Sequence, residues 1–295
     1  MTTHDDLGAG LPGPDFDFPA FVRSKATMED VLNPGLYHWE AFNFRPPALE
    51  KLEQRVRTDH LPTSIHHPLT CPPDYPHPPL LGLCIHPERE VRERALALIE
   101  ENLSLAQDWG ARYVVLHFGG GVSGDLGRRK ALSLAMRSAE RLAEMVEEYG
   151  VPILLEYAGY DPDIERPEDW AAIAQDLPPL GICLDIGHLF HHADLYGTDY
   201  LKEVEVLAPH TRALHLWNSR GISAWRKFRH VPVHPSLDPA DGWIDIPTVL
   251  RIVLEIHPRC PIVFEPDFLY NDSESFFREG MEWVLGLVQE ITATG

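Results

Sequence analysis

Gly181-Ile182-Cys183-Leu184-Asp185-Ile186-Gly187-His188-Leu189-Phe190 decides how the rest of the chain is read. It opens as a short apolar run, which suits a strand buried on both faces. Where such a strand should stop, Asp185 and His188 follow. A carboxylate and an imidazole at the end of a buried strand can both bind a divalent metal. They can equally cap a following helix and fill a core position. The pattern gains weight because it recurs: a short apolar run, then His or Glu at its end.

Upstream, Phe16–Val22 is a first, weakly marked strand, and Thr27–Leu32 reads as a short helix. Leu36–Asn43 is an aromatic-rich strand, and Pro47–Thr58 is a helix opened by proline. Pro62–Leu69 holds a strand ending in His66-His67-Pro68, followed by a proline-rich loop over Cys71–Pro87. Glu88–Trp109 is an amphipathic helix stopped at Gly110. Ala111–Gly121 is a buried strand ending at His117, with glycines behind it. Arg128–Tyr149 is a second amphipathic helix, and Val151–Gly159 a strand ending at Glu156.

Beyond these come a helix over Arg166–Asp176, the strand Leu180–Asp185, and a loop carrying His191-His192. A helix over Thr198–Leu207, which Thr198 would cap, precedes a strand over Arg212–Asn218 that carries His215. Ser219–Trp243 reads as a long irregular stretch with Arg220, Arg226, Lys227, Arg229, His230 and His234. Ile246–Ile256 is a helix, Pro261–Phe268 a strand with Glu265 at its end, and Ser273–Ile291 the closing helix.

Strand and helix alternate about eight times within about 250 residues, which predicts an α/β fold, a single closed (β/α)8 barrel. No glycine-rich phosphate fingerprint follows the first strand, which disfavours a doubly wound open sheet. Residues 1–15 are expected to form a flexible arm and residues 16–295 the barrel domain.

The totals limit the function classes. A formal net charge of −20 opposes a broad grip on nucleic acid, which depends on lysine and arginine against phosphate. No apolar run reaches the length needed to span a membrane, so no membrane partner is expected. The four cysteines (Cys71, Cys84, Cys183, Cys260) form no CxxC, which points to free thiols and a cytoplasmic location. A small-molecule substrate is the expected partner, and homo-oligomerisation stays open.

In a barrel of this kind the C-terminal strand ends share one mouth. His66, His117, Glu156, Asp185, His188, His215, His234 and Glu265 would then converge. Apposed carboxylates repel one another, and a divalent cation reverses that cost. A metal site at the mouth, filled by Zn, Mn or Co, is the expectation.

The series SIHHP, VVLHFG, LLEYAG, LDIGH, ALHL, HPSLDPADGWID and IVFEP resembles the xylose isomerase-like TIM-barrel superfamily, from about Pro62 onward. That group includes sugar isomerases and epimerases and the endonuclease IV-type AP endonucleases. By resemblance to the first branch, Glu156, Asp185, His215 and Glu265 hold one metal. Glu156 and Glu265 then move the proton, and His188 contacts the substrate. His66, His117 and Arg220 would join it in substrate binding. By resemblance to the second branch, His66, His117, His188 and His234 complete a shell for up to three zinc ions. The aspartate expected two residues before the last histidine is replaced by Pro232, with His230 or Asp238 as the substitutes at hand. The first branch is therefore the leading expectation, a metal-dependent isomerase or epimerase of a small sugar or sugar phosphate. A zinc phosphodiester hydrolase is the alternative.

Overall fold

A computed structural model of the chain describes residues 19–23, 38–44, 46–60, 62–70, 72, 82–119, 126–159, 162–267 and 269–293. Eight strands form a closed barrel in chain order: β1 (Pro19–Arg23), β2 (His38–Phe42), β3 (Thr63–His66), β4 (Val114–His117), β5 (Ile153–Tyr157), β6 (Leu180–Asp185), β7 (Thr211–Leu216) and β8 (Ile262–Phe264). Every neighbouring pair is parallel, and Ala20 beside Phe264 closes the ring. This is the (β/α)8 barrel that the alternation predicts.

The helices are α1 (Pro46–Asp59), α2 (Arg89–Trp109), α3 (Arg128–Tyr149), α4 (Pro167–Asp176), α5 (Ile186–Tyr196), α6 (Tyr200–Leu207), α7 (Ile222–Phe228), α8 (Ile246–Leu254) and α9 (Glu274–Ala293). The longest, α2 and α3, bury an Ala/Leu stripe against the strands. Each ends at a glycine in the left-handed region, Gly110 at φ 64° and Gly150 at φ 68°, where a β-carbon would be strained. No helix among the described residues is long and apolar enough to cross a membrane.

Two apolar layers result. The large one lies between strands and helices. A small one, Tyr113, Val115, Leu154, Cys183 and Ala213, fills the barrel interior. Side chains alternate faces along a strand. Val115, Leu154, Cys183 and Ala213 therefore share their faces with His117, Glu156, Asp185 and His215, two residues further on. The apolar plug sits one layer beneath the polar mouth.

Some local expectations change. The His191-His192 segment is helical: Asp185 caps α5 by accepting the backbone N–H of His188, so the chain turns into a helix directly after β6. Asp199, not Thr198, caps α6. Thr198 Oγ1 instead donates to Glu203, 2.5 Å away. The stretch after β7 is not wholly irregular, since it contains α7. The N-terminal arm, the helix expected over Thr27–Leu32 and most of the proline-rich loop lie outside the described residues.

Candidate metal centre

Strand register decides which side chains meet. His117 stands beside Glu156, and Asp185 beside His215. The second pairing depends on a shift between β6 and β7: Ile182 pairs with Thr211, but Cys183 pairs with Ala213. The extra residue, Arg212, is exposed. A regular register continued from Ile182 and Thr211 would set Asp185 beside Leu214 instead. The register shift puts His215 beside Asp185.

Glu156 is the centre of the cluster. Its Oε2 lies 2.6 Å from His117 Nε2 and 2.9 Å from His66 Nε2, and its Oε1 lies 3.7 Å from His215 Nδ1. Glu265 Oε1 approaches the same His215 nitrogen to 3.1 Å. Asp185, wholly buried, accepts from the His188 backbone N–H at 2.7 Å and from Trp217 Nε1 at 2.9 Å. His188 Nε2 is 3.7 Å from Asp185 Oδ2. Three sets of donor atoms each gather within 4.8 Å: Glu40, His66, His215 and Glu265; His66, His117 and Glu156; and Glu156, Asp185 and His188.

The charges around the site suit a cation. Glu40, Glu156, Asp185 and Glu265 are buried, and no lysine or arginine is buried with them among the described residues. Burial would raise the pKa of Glu156, but His117 first and then His215 drive it well below the carboxylate range. Burial would lower the pKa of His215; Cys183, Glu265 and Glu40 reverse this and hold it well above the ordinary value. His66 is pushed down, chiefly by burial.

The His66 ring makes the need for a cation specific. Its Nδ1 sits 3.1 Å from the His67 carbonyl, an acceptor, so that nitrogen carries the proton. A neutral ring then presents the Nε2 lone pair to Glu156 Oε2, acceptor against acceptor. A cation between them, or a second proton on the ring, resolves that contact.

The structure brings together His66, His117, Glu156, Asp185, His188, His215 and Glu265. It does not bring in His234 or Arg220. His234 bonds to Ser236 (2.7 Å) and Glu279 (3.3 Å), stacks on Phe276, and joins none of the three donor sets. Its irregular segment carried no periodicity from which its direction could be read. Arg220 is exposed, with its guanidinium over Trp243, 5.6 Å from the ring centre.

Glu40 and Trp217 near the site were not anticipated, and His230 was expected only in the stretch after β7, as a substitute for the missing aspartate. Glu40 lies in the barrel interior, with Oε1 2.8 Å from His215 Nε2. His230 stacks on Trp217 at 4.0 Å, and its Nδ1 is 3.0 Å from the Glu265 carbonyl. Trp217 holds Asp185. A charged residue inside an aromatic strand, His-Trp-Glu-Ala-Phe, is the signal that marks Glu40.

The family model described as "Xylose isomerase-like TIM barrel" matches residues 28–286. Among solved structures, an L-ribulose 3-epimerase aligns with a TM-score of 0.68 and 15% identity, covering 95% of this chain and 96% of its own. A D-tagatose 3-epimerase-like protein aligns with a TM-score of 0.64 and 18% identity, covering 95% and 99%. A xylose isomerase-like TIM barrel protein from Mycobacterium smegmatis, in complex with magnesium, aligns with a TM-score of 0.56 and 16% identity, covering 88% and 85%. No curated protein sequence matches. Identities this low establish the shared fold alone, but the family match spans most of the chain, which therefore belongs to the xylose isomerase-like TIM barrel family.

Proposed function

We propose that the chain is a divalent-metal-dependent isomerase or epimerase of a small sugar or sugar phosphate, moving a proton at the carbon next to a carbonyl. The observation that carries this reading is the approach of two carboxylates from different strand ends, Glu156 and Glu265, to one nitrogen of His215. Glu156 also gathers with Asp185 and His188 as a donor set, and mixed carboxylate and imidazole ligands of this kind suit Zn, Mn or Co. When bound there, such an ion supplies Lewis-acid polarisation of a substrate carbonyl and its neighbouring hydroxyl.

The protein's own groups do the rest. Glu156 is ionised at neutral pH because its imidazole neighbours hold its pKa down, so it can accept a proton. Glu265 returns a proton to the same carbon. His188, its pKa lowered by burial, is a neutral ring that hydrogen-bonds a substrate hydroxyl. Trp217 and the α5 N-terminus fix Asp185 in place.

The epimerases among the structural neighbours support the same reading, and the magnesium complex supports a divalent ion. The acidic surface suits a small substrate better than nucleic acid. Buried free thiols at Cys84 and Cys183 suit a reducing, cytoplasmic setting.

A second reading, a zinc phosphodiester hydrolase with two ions, is favoured by one observation: His66, His117 and Glu156 gather as a further donor set. A three-ion version loses support, because His234 faces other partners and Pro232 has no side-chain donor.

Elemental analysis of metal-replete protein, followed by deuterium exchange from solvent into a panel of ketoses, aldoses and their phosphates, tests the proposal. About one ion per chain and exchange at the α-carbon are expected. No exchange with Mn, Co or Zn over the whole panel would sink the first reading. Two zinc ions with diester cleavage would establish the second.

A further inference from the structure

We propose that the loop of residues 219–230 is the subsite for an oxyanion on the substrate, a phosphate ester or a carboxylate, and that Arg226 and Arg229 bind it. The inference rests on the isomerase or epimerase reading above and deepens it by naming the substrate class.

The loop belongs to the barrel mouth. Asn218, just past β7, exchanges two backbone hydrogen bonds with Val231: its N–H donates at 2.7 Å and its carbonyl accepts at 3.2 Å. This neck closes the loop on itself. At the far end His230 stacks on Trp217 at 4.0 Å, and its ring centre lies 5.7 Å from that of His188. At the near end α5 holds the loop. Ser219 Oγ is 2.7 Å from His191 Nε2, and Asp194 Oδ2 accepts the Ile222 N–H at 3.2 Å. Between these anchors α7 buries none of its residues.

The charge of the loop is the reverse of the chain's. No aspartate or glutamate occurs between Glu205 and Asp238, in a chain that has 45 of them. The loop carries Arg220, Arg226, Lys227 and Arg229, all exposed, and none of the four forms an ion pair among the described residues. The neighbouring site holds the buried carboxylates of Glu40, Glu156, Asp185 and Glu265. A divalent ion offsets only part of that charge. An oxyanion arriving with the substrate is therefore repelled unless cations meet it, and this loop supplies them.

Arg229 carries the argument furthest. It immediately precedes His230, which places it at the edge of the site. Its guanidinium lies over Trp225, 4.8 Å from the ring centre, and Trp225 in turn packs on His191 at 5.8 Å. Stacking uses the flat face of a guanidinium and leaves its N–H edge for an oxyanion. The Arg229 backbone sits at φ 56° and ψ −133°, a conformation that residues other than glycine rarely adopt. Such strain clusters at ligand clamps.

The test is a calorimetric titration of the Zn(II)-loaded full chain with inorganic phosphate and, separately, with acetate. Wild type is compared with the double variant Arg226→Gln/Arg229→Gln. The control is Lys51→Gln/Lys202→Gln, which removes the same charge from exposed positions on α1 and α6. The loop variant is expected to lose about 10- to 100-fold in affinity for the anion that wild type binds more tightly, and the control to stay within about twofold. Tighter phosphate identifies a sugar phosphate as the substrate class, and tighter acetate a sugar acid. Wild type that binds neither anion would overturn the inference. So would a loop variant that binds as well as wild type, because the ion alone would then hold the anion, or a control that loses as much as the loop variant. The titration needs no turnover. Anion loss in the loop variant with no exchange across the sugar panel would sink the isomerase or epimerase reading and keep the subsite. Exchange without anion loss would refute the subsite alone.

Discussion

Gly187→Ala tests how the candidate centre is braced. Gly187 lies in the first turn of α5 and is not among the glycines with positive φ, so its backbone accepts alanine. The obstacle is space. A β-carbon there would sit 2.2 Å from Trp217 Cε2 and Cζ2 and 2.4 Å from Cη2. Non-bonded carbons need about 3.5 Å, so the indole must retreat by roughly 1.3 Å. It has little freedom to do so. Trp217 is fully buried, His230 stacks on it at 4.0 Å, and its Nε1 donates to Asp185 at 2.9 Å. Cε2 is bonded to that nitrogen, so the clash falls beside the hydrogen bond. Overpacking costs about 1–3 kcal/mol, and losing a bond to a buried carboxylate about 1.5–3 kcal/mol. Replacing a helical glycine by alanine returns at most about 1 kcal/mol. The expected net loss is roughly 2–5 kcal/mol. Urea unfolding of the metal-free protein, followed by far-UV circular dichroism, measures it. Gly286→Ala in α9 is the control, since nothing lies within 4 Å of its β-carbon and it should stabilise slightly. If Gly187→Ala were as stable as wild type while the control behaved as expected, the bracing role of the Trp217 contact would be refuted.

Three further outcomes are expected. Burial holds His191 down to about 3 and His38 down to about 4, from an unfolded value of 6.5. The unfolded chain therefore binds more protons below pH 6.5. Stability present above that pH is lost as pH falls toward 4 and 3, at up to about 1.4 kcal/mol per pH unit for each ring. Urea midpoints between pH 7.5 and 5, with and without His191→Gln, should show a shallower slope in the variant; equal slopes would contradict the assignment. Glu265→Gln should lower turnover of any substrate found in the exchange panel by about 10²- to 10⁴-fold, with metal content followed in parallel, and full activity would remove it from the mechanism. His234→Ala should leave metal content unchanged and cost about 1 kcal/mol from its lost stacking and hydrogen bonds, whereas a loss of bound metal would restore it to the ligand shell.

Much of the barrel was legible because its parallel strands are short apolar runs and its long helices have clear stripes and glycine stops, as at Gly110 and Gly150. His117, Glu156, Asp185, His215 and Glu265 stood out because each interrupts or ends such a run. Glu40 did not, because the residues around it, His38, Trp39 and Phe42, read as strand material whichever face they occupy. Only the pairing with β3, absent from any local pattern, sets Glu40 against His215. His191 and His192 look like loop residues in sequence, yet they bond to Ser219 and Glu203 from a helix that starts at Asp185. His230 and His234 lie in a segment without periodicity. Long-range contacts alone send one toward Glu265 and the other toward Glu279.

Asp185 closes a strand, caps a helix and joins the candidate metal-binding cluster with a single carboxylate. A descendant of this protein that gave up catalysis would still need that cap and the anchor for Trp217, so selection for folding alone would retain the aspartate. Its presence in a related sequence is therefore a poor marker of activity. Glu265 follows β8 and is not the N-cap of any helix whose cap is described, so it is freer to drift once chemistry is abandoned. Sorting active from retired members of such a lineage should begin at the end of β8 and not at the LDIGH stretch.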